Sequence, residues 1–261
     1  MMAWHERVQT EKQLIRLGGA SLYYEVAGAG KPLVLVHGLA ASRRWWAKNL
    51  AVLTQHFRVY LVDLIGFGKS RRQRFVLDEA ARTLVQWMDA LGLAKANIIG
   101  HSMGGRIAAE LAADYPERVE RLILVAAPIL PFGYGLPKGA WGVARALRRL
   151  PLDFLRVLVG DTLQAGSLNV LRIGRQILLT DRSNKLSAIQ VPTLIIWGEQ
   201  DTIVPLPLGE ALAQGLPQSH LQLIKGVGHV PMWEKPETFN RLVLEFLHCP
   251  HSNETNSGEM E

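Results

Sequence analysis

Ser102 stands between two glycines in the run Gly100-His101-Ser102-Met103-Gly104. The residues before it, 96–100, read as the end of a buried strand, and those after it, 105–115, have helical spacing. A Gly-x-Ser-x-Gly pattern says little alone and much at a strand-to-helix corner. At such a corner the serine is pushed out beyond the sheet edge on a strained backbone. The turn leaves no room for a Cβ two residues to either side. The helix starting behind it turns its positive end toward a developing anion. The competing reading is a serine that merely caps the helix.

A serine hydroxyl attacks a carbonyl only when a base takes its proton. The chain holds eight histidines. His229, in GVGHVPMWEKPE, lies in a glycine-flanked loop just past a strand-like run, where open α/β sheets place their sites. His101 lies in the elbow itself and is expected to point away from Ser102. His37 follows a strand but is joined to Gly38 in another role. A plain surface-loop histidine is the alternative for His229. The base in turn needs a carboxylate to fix its tautomer. Asp201, in WGEQDTIVP, is favoured; Glu199 is the rival, and Asp201 as a cap near Val204-Pro205 is the structural alternative. Two backbone N–H groups must receive the oxyanion. One follows the nucleophile, at Met103. The other comes from the loop after strand 32–36, at Leu39, where Gly38 lets backbone approach the substrate. Gly38, Trp45 and Val230 are the candidates for the substrate pocket, although Trp45-Trp46 also reads as the apolar face of a helix.

These residues need a frame. Strand-like runs at 13–17 and 21–26 flank Gly18-Gly19 as a hairpin, and further strands are expected at 32–36, 57–62, 96–100, 119–127, 192–198 and 220–226. Helical runs fall between them at 45–53, 77–92 and 105–115, with a last one at 237–247. The alternation predicts an α/β fold with a mostly parallel sheet flanked by helices. It stops over 129–186, where no strand is visible. The expected organisation is one core, 1–128 and 187–248, with a helical insertion at 129–186 after the sixth or seventh strand. The polar tail 249–261 is expected to be disordered.

The chain resembles the α/β-hydrolase superfamily, on VHGLAAS (36–42), VDLIGFGKS (62–70), GHSMGG (100–105), WGEQDTIVP (197–205) and GVGHVPMWEKPE (226–237). The order Ser, Asp, His is the order of that superfamily. The resemblance covers nearly the whole chain except the tail and is weakest over 129–186, which corresponds to the superfamily's variable helical cap. It implies Ser102 as nucleophile, Asp201 as acid, His229 as base, and Leu39 and Met103 as oxyanion donors. It also implies no metal and no organic cofactor. A serine at the elbow argues against haloalkane dehalogenases and epoxide hydrolases, which use aspartate there. GFGKS at 66–70 is not a phosphate loop, because the required first glycine is Asp63.

Composition sets outer limits. The chain has 261 residues with 48% hydrophobic content, as expected of a globular protein with a sizeable core. The start, MMAWHERVQTEKQ, is too polar for a secretory signal, and no apolar run suits a membrane span. Cys249 is the only cysteine, so no internal disulfide forms, and a cytoplasmic location is expected. Nothing points to nucleic acid. Nine basic and three acidic residues lie in 129–187, so the whole net charge of +6 resides in the insertion. Within GVARALRRL (142–150), Arg145, Arg148 and Arg149 share adjacent helical positions, with Leu147 and Leu150 turned to the core. That charge is either a solvated face or a positive lid for anionic or interfacial substrates.

The leading expectation is a carboxylesterase-like serine hydrolase that cleaves a small-molecule ester through an acyl-enzyme on Ser102. The alternatives are C–C bond hydrolysis of dienoic or β-dicarbonyl acids, a lyase or perhydrolase reaction on the same triad, or a slow-turnover ligand sensor. Oligomeric state has no sequence signal.

Overall fold

A computed structural model describes residues 8–132 and 136–249. Most of the expected tail, and the first seven residues, lie outside the described residues. Eight strands form one sheet: β1 (Glu11–Leu17), β2 (Ala20–Ala27), β3 (Pro32–Val36), β4 (Arg58–Asp63), β5 (Ala96–His101), β6 (Val119–Val125), β7 (Thr193–Gly198) and β8 (Ser219–Ile224). Their order is β1-β2-β4-β3-β5-β6-β7-β8. The pairings β1 with β2 and β2 with β4 are antiparallel, and every other pairing is parallel.

The central strands are apolar throughout because both of their faces are covered. Side chains alternate across a pleated strand. Val34 and Val36 therefore enter one core with Ile98, Leu122 and Trp197, whereas Leu33 and Leu35 enter the other with Ile99, Ile123 and Ile196. Burial of one such aliphatic side chain contributes about 1.5–3 kcal/mol. Truncating Ile99 to alanine would cost about 2–5 kcal/mol.

Helices α1 (Ala47–Leu53), α2 (Ala80–Ala90) and α3 (Met103–Asp114) fill the early crossovers. α2 stops where Gly92 takes φ 67°, with the Leu93 N–H donating to Met88 O at 2.9 Å, a left-handed cap that suits glycine. α3 stops before Pro116, which cannot continue it. The helix expected over 45–53 is shorter than its spacing suggests. Residues Arg43–Trp46 form a 3-10 turn, opened by the Ser42 side chain accepting from the Arg44 N–H.

Between β6 and β7, after the sixth strand, the chain forms α4 (Leu136–Leu147), α5 (Leu152–Ala165) and α6 (Ser167–Leu179), with no strand among the described residues. Pro151 precedes α5, and Gly166 at φ 79° breaks α5 from α6. The expectation for 142–150 needs correction. α4 ends at Leu147, Leu147 is exposed, and Arg148 and Arg149 lie past the helix. The remaining helices are α7 (Leu206–Gly215), α8 (Pro231–Glu234) and α9 (Pro236–His248). No helix of the described residues is long and apolar enough to cross a membrane.

Candidate active site

Ser102 joins β5 to α3 with φ 52° and ψ −121°, a conformation that L side chains rarely adopt. Its backbone is pinned on both sides. The Ser102 N–H donates to Val125 O at 2.8 Å, and its carbonyl accepts from Gly105 and Arg106. Crowding explains the glycines. A Cβ on Gly100 would lie 2.4 Å from Gly104 O, and one on Gly104 would lie 2.4 Å from Val36 O. Ser102 makes no side-chain cap bond to α3, which removes the capping alternative. Its side chain is partly exposed at the C-terminal edge of the sheet.

His229 lies in the loop after β8, buried, with Nδ1 2.8 Å from Asp201 Oδ2. A carboxylate only accepts, so Nδ1 carries the proton and Nε2 of the neutral ring is left with its lone pair. Asp201 follows β7. Its other oxygen, Oδ1, accepts from the Ile203 and Val204 N–H groups at 2.8 and 2.9 Å. The loop-capping and base-partner readings of Asp201 are thus both filled, by different oxygens. Glu199 is spent elsewhere, accepting from the Gly226 N–H at 3.0 Å on an exposed turn.

Two buried histidines brace this constellation. His101 Nε2 lies 2.8 Å from the main-chain oxygen of His229, and the two rings are 4.9 Å apart. A carbonyl only accepts, so the His101 proton is on Nε2, and Nδ1 is left buried without a partner. His37 donates from Nδ1 to Gly38 O at 2.8 Å and accepts at Nε2 from the Leu64 N–H at 3.0 Å. In a trans peptide the C=O and N–H point opposite ways. Holding the Gly38 carbonyl toward His37 therefore turns the Leu39 N–H away from it. Burial pushes both imidazoles below their ordinary 6.5, His101 well below, so both stay neutral.

Met103 is the first residue of α3, so its N–H has no partner within the helix. Gly38 approaches the elbow so closely that a Cβ there would lie 3.1 Å from Ser102 Cβ. Leu39 is half-buried, and a Cβ on Gly174 of α6 would touch its Cδ2 at 3.5 Å. Trp45 is buried edge-on to Phe154 of α5 at 4.7 Å, its indole N–H bonded to Asp161 Oδ2 at 3.1 Å. Val230 is buried in the same apolar cluster. Through its contacts with Phe154 and Asp161, Trp45 joins α5 to the core.

Several supporting residues have no local sequence signal. Glu234 accepts from the Gly228 and Val230 N–H groups, one on each side of His229. Asp63, fully buried at the end of β4, accepts from the backbone N–H groups of Arg43 and Lys69 and from the Arg43 guanidinium, each at 2.8 Å. The glycine loop folds around it, since a Cβ on Gly68 would lie 2.3 Å from Asp63 Cγ. Helix α4 meets the Asp201 loop where Thr202 Oγ1 donates to Gly142 O at 2.8 Å. A separate cleft of about 460 Å³, lined by Leu22, Leu64, Phe75 and Thr83, contains none of Ser102, Asp201 or His229.

Comparison with known proteins agrees with this fold. The sequence profile of the alpha/beta hydrolase fold family matches residues 31–168 and 174–236. A 2-hydroxy-6-oxononadienedioate/2-hydroxy-6-oxononatrienedioate hydrolase from Burkholderia vietnamiensis is 34% identical, over 87% of this chain and 90% of its own. A 2-hydroxy-6-oxo-6-phenylhexa-2,4-dienoate hydrolase from Comamonas testosteroni is 30% identical, over 87% of this chain and 91% of its own. Among solved structures, a thermophilic esterase from Thermogutta terrifontis superposes with a TM-score of 0.74 at 28% identity, covering 92% of this chain and 98% of its own.

Proposed function

The chain belongs to the α/β hydrolase fold family, and we propose that within it Ser102, His229 and Asp201 hydrolyse the carbon–carbon bond beside a ketone in a small 2-hydroxy-6-oxo-dienoate-type acid. One observation carries the choice of bond. Two relatives that match this chain at 34% and 30% identity over most of both lengths are named as hydrolases of such acids. This moves the reading from esters, the leading expectation from sequence, to the carbon–carbon alternative.

The geometry supports the chemistry. A 6-oxo acid has no ester bond at its ketone, so hydrolysis there must divide C5 from C6. The C6 carbonyl is attacked by an oxygen nucleophile activated by His229, and its oxygen becomes an anion facing the N–H groups of Met103 and Leu39. The 2-hydroxydienoate first ketonises, its hydroxyl proton passing to C5, so that the C5–C6 electron pair departs into the enone formed by C3=C4 and C2=O, a sink that a simple ketone lacks. Water supplies the OH that ends on C6 and the proton that restores the C2 hydroxyl of the released dienol. The Asp201 carboxylate holds the imidazole in the tautomer that accepts a proton and stabilises the imidazolium that follows.

In this reading residues 129–186 form a cap. The Thr202 bond to Gly142 and the approach of Leu39 to Gly174 support it, since they link α4 and α6 to the loops that carry Asp201 and Gly38. The acids named for the relatives are anions, and the excess charge of +6 in this segment would draw them in.

A second reading, ester hydrolysis on the same triad, is favoured by the 28% identical esterase structure. The two separate in one assay. Cleavage of 2-hydroxy-6-oxo-6-phenylhexa-2,4-dienoate is followed by loss of its conjugated absorbance, and aryl ester cleavage by release of the phenol. A kcat/KM at least about 100-fold higher on the dienoate is expected, a difference of about 2.7 kcal/mol in transition-state binding. The reverse ratio would replace the proposal with esterase activity.

A further inference from the structure

We propose that helices α4–α6 form a docking face for an anionic lipid surface. Twelve large apolar residues are exposed among the described residues, and nine of them lie between Trp141 and Leu179. Such residues scattered singly need no explanation, but concentration on one segment does. They fall at helical spacing. On α5, Leu152, Val159 and Leu163 recur at i, i+7 and i+11, one stripe of a 3.6-residue helix. On α6, Leu168, Leu171 and Leu179 recur at i, i+3 and i+11. Only Gly166 separates these helices, so Leu163 at 77% exposure and Leu168 at 82% stand on either side of one turn. Trp141 of α4 is 63% exposed and carries the Arg145 guanidinium over its ring at 5.3 Å.

Charge identifies the occupant. Exposed arginines sit in the same stripes, Arg156 on α5 and Arg172 and Arg175 on α6. Of the two acids of α5, Asp161 is buried against Arg44, and Asp153, although exposed, is neutralised by Lys48 at 2.8 Å. The basic residues of this segment that form ion pairs among the described residues are Arg182 and Lys185, both past the end of α6. The face that carries the leucines is therefore strongly positive. A second copy would bring like charge against like charge. An anionic bilayer surface offers both an apolar layer for the leucines and tryptophan and headgroups for the arginines, whose long stems let the charge stay at the interface.

The test is co-sedimentation of the full chain with vesicles. One set is pure phosphatidylcholine and the other contains about 30% phosphatidylserine. Binding is expected to the anionic vesicles, weak on neutral ones and largely lost in about 0.5 M salt. The double substitution Leu163→Glu with Leu168→Glu should weaken it about tenfold or more. That variant should keep its melting temperature and stay within about twofold in activity on a soluble substrate, since both side chains are already in solvent. Trp141 fluorescence should shift to the blue on binding and lose that shift after Trp141→Phe. Absence of binding to anionic vesicles, equal binding to neutral ones, or unchanged binding by the double variant would overturn the proposal. Light scattering that shows a dimer broken by the same variant would overturn it too, and would give the face to a second copy.

Discussion

His101 donates its Nε2–H to the main-chain oxygen of His229, 128 residues further along the chain. The residue just before the elbow serine thereby holds the residue that would take the serine's proton. Replacing His101 with phenylalanine leaves the His229 carbonyl buried and unpaired and frees the loop. We expect kcat to fall about 10–100-fold, with asparagine, which keeps a donor, recovering most of it. The rate at which a fluorophosphonate labels Ser102 should follow the same order. Full activity in the phenylalanine variant would remove His101 from the positioning role.

Ser102→Ala should lose on the order of 10⁴-fold or more in kcat with the fold intact, and fluorophosphonate labelling should vanish. Because Ser102 sits at φ 52°, Ser102→Gly should be more stable than Ser102→Ala by about 1–2 kcal/mol. Calorimetry of the two variants measures this directly. Equal melting temperatures would mean that the corner stores no strain.

Asp201→Asn should lower kcat by about 10⁴-fold, since an amide facing Nδ1 selects the wrong tautomer. Glu199→Gln, which touches only an exposed turn, should leave activity within a few-fold. A larger loss from the Glu199 change would refute the acid assignment.

Two glycine-to-alanine changes should move stability in opposite directions. In Gly104→Ala the new Cβ meets the Val36 and His37 carbonyl oxygens at 2.4 and 2.5 Å, so backbone must shift at a cost of about 3 kcal/mol or more. Gly139→Ala lies inside α4 with its nearest neighbour at 3.6 Å, and should gain about 0.5–1 kcal/mol. Chemical denaturation of both proteins compares the signs.

Stability should depend on pH through His37 and His101. Folded, both are held below the ordinary 6.5 by burial; unfolded, both take protons near that value. Below about pH 6.5 the unfolded chain binds more protons, so their contribution is complete above that pH and declines as the pH falls, by up to about 1.4 kcal/mol per pH unit for each. The melting temperature should drop between pH 7 and 5, and the His101→Asn variant should show a shallower drop. A melting temperature unchanged over that range would contradict the neutral buried pair.

The strands were legible because a doubly covered parallel sheet demands unbroken apolar runs such as PLVLV and TLIIW, and the elbow because steric crowding leaves glycine as its fitting neighbour. The Asp201–His229 pair was legible from its place after successive strands. What escaped was long-range. Nothing near Asp161 announces that it reaches Ser42, Arg44 and the Trp45 indole. Side chains that meet across more than a hundred residues obey no period. The 3-10 turn at Trp45-Trp46 escaped for a local reason, since the Ser42 hydroxyl competes for backbone that apolar spacing alone would wind into α-helix.

Strands β6 and β7 pair directly, from Leu122 beside Thr193 to Val125 beside Ile196. All of α4–α6 is therefore a detour between two points that the sheet already holds together. The entropy of closing such a detour grows only logarithmically with its length, about 0.6 kcal/mol for each doubling. The segment can thus be lengthened, trimmed or exchanged with little change to the scaffold that holds Ser102, Asp201 and His229. Selection can then rebuild those helices while leaving the Ser102 corner and the Asp201–His229 pair untouched.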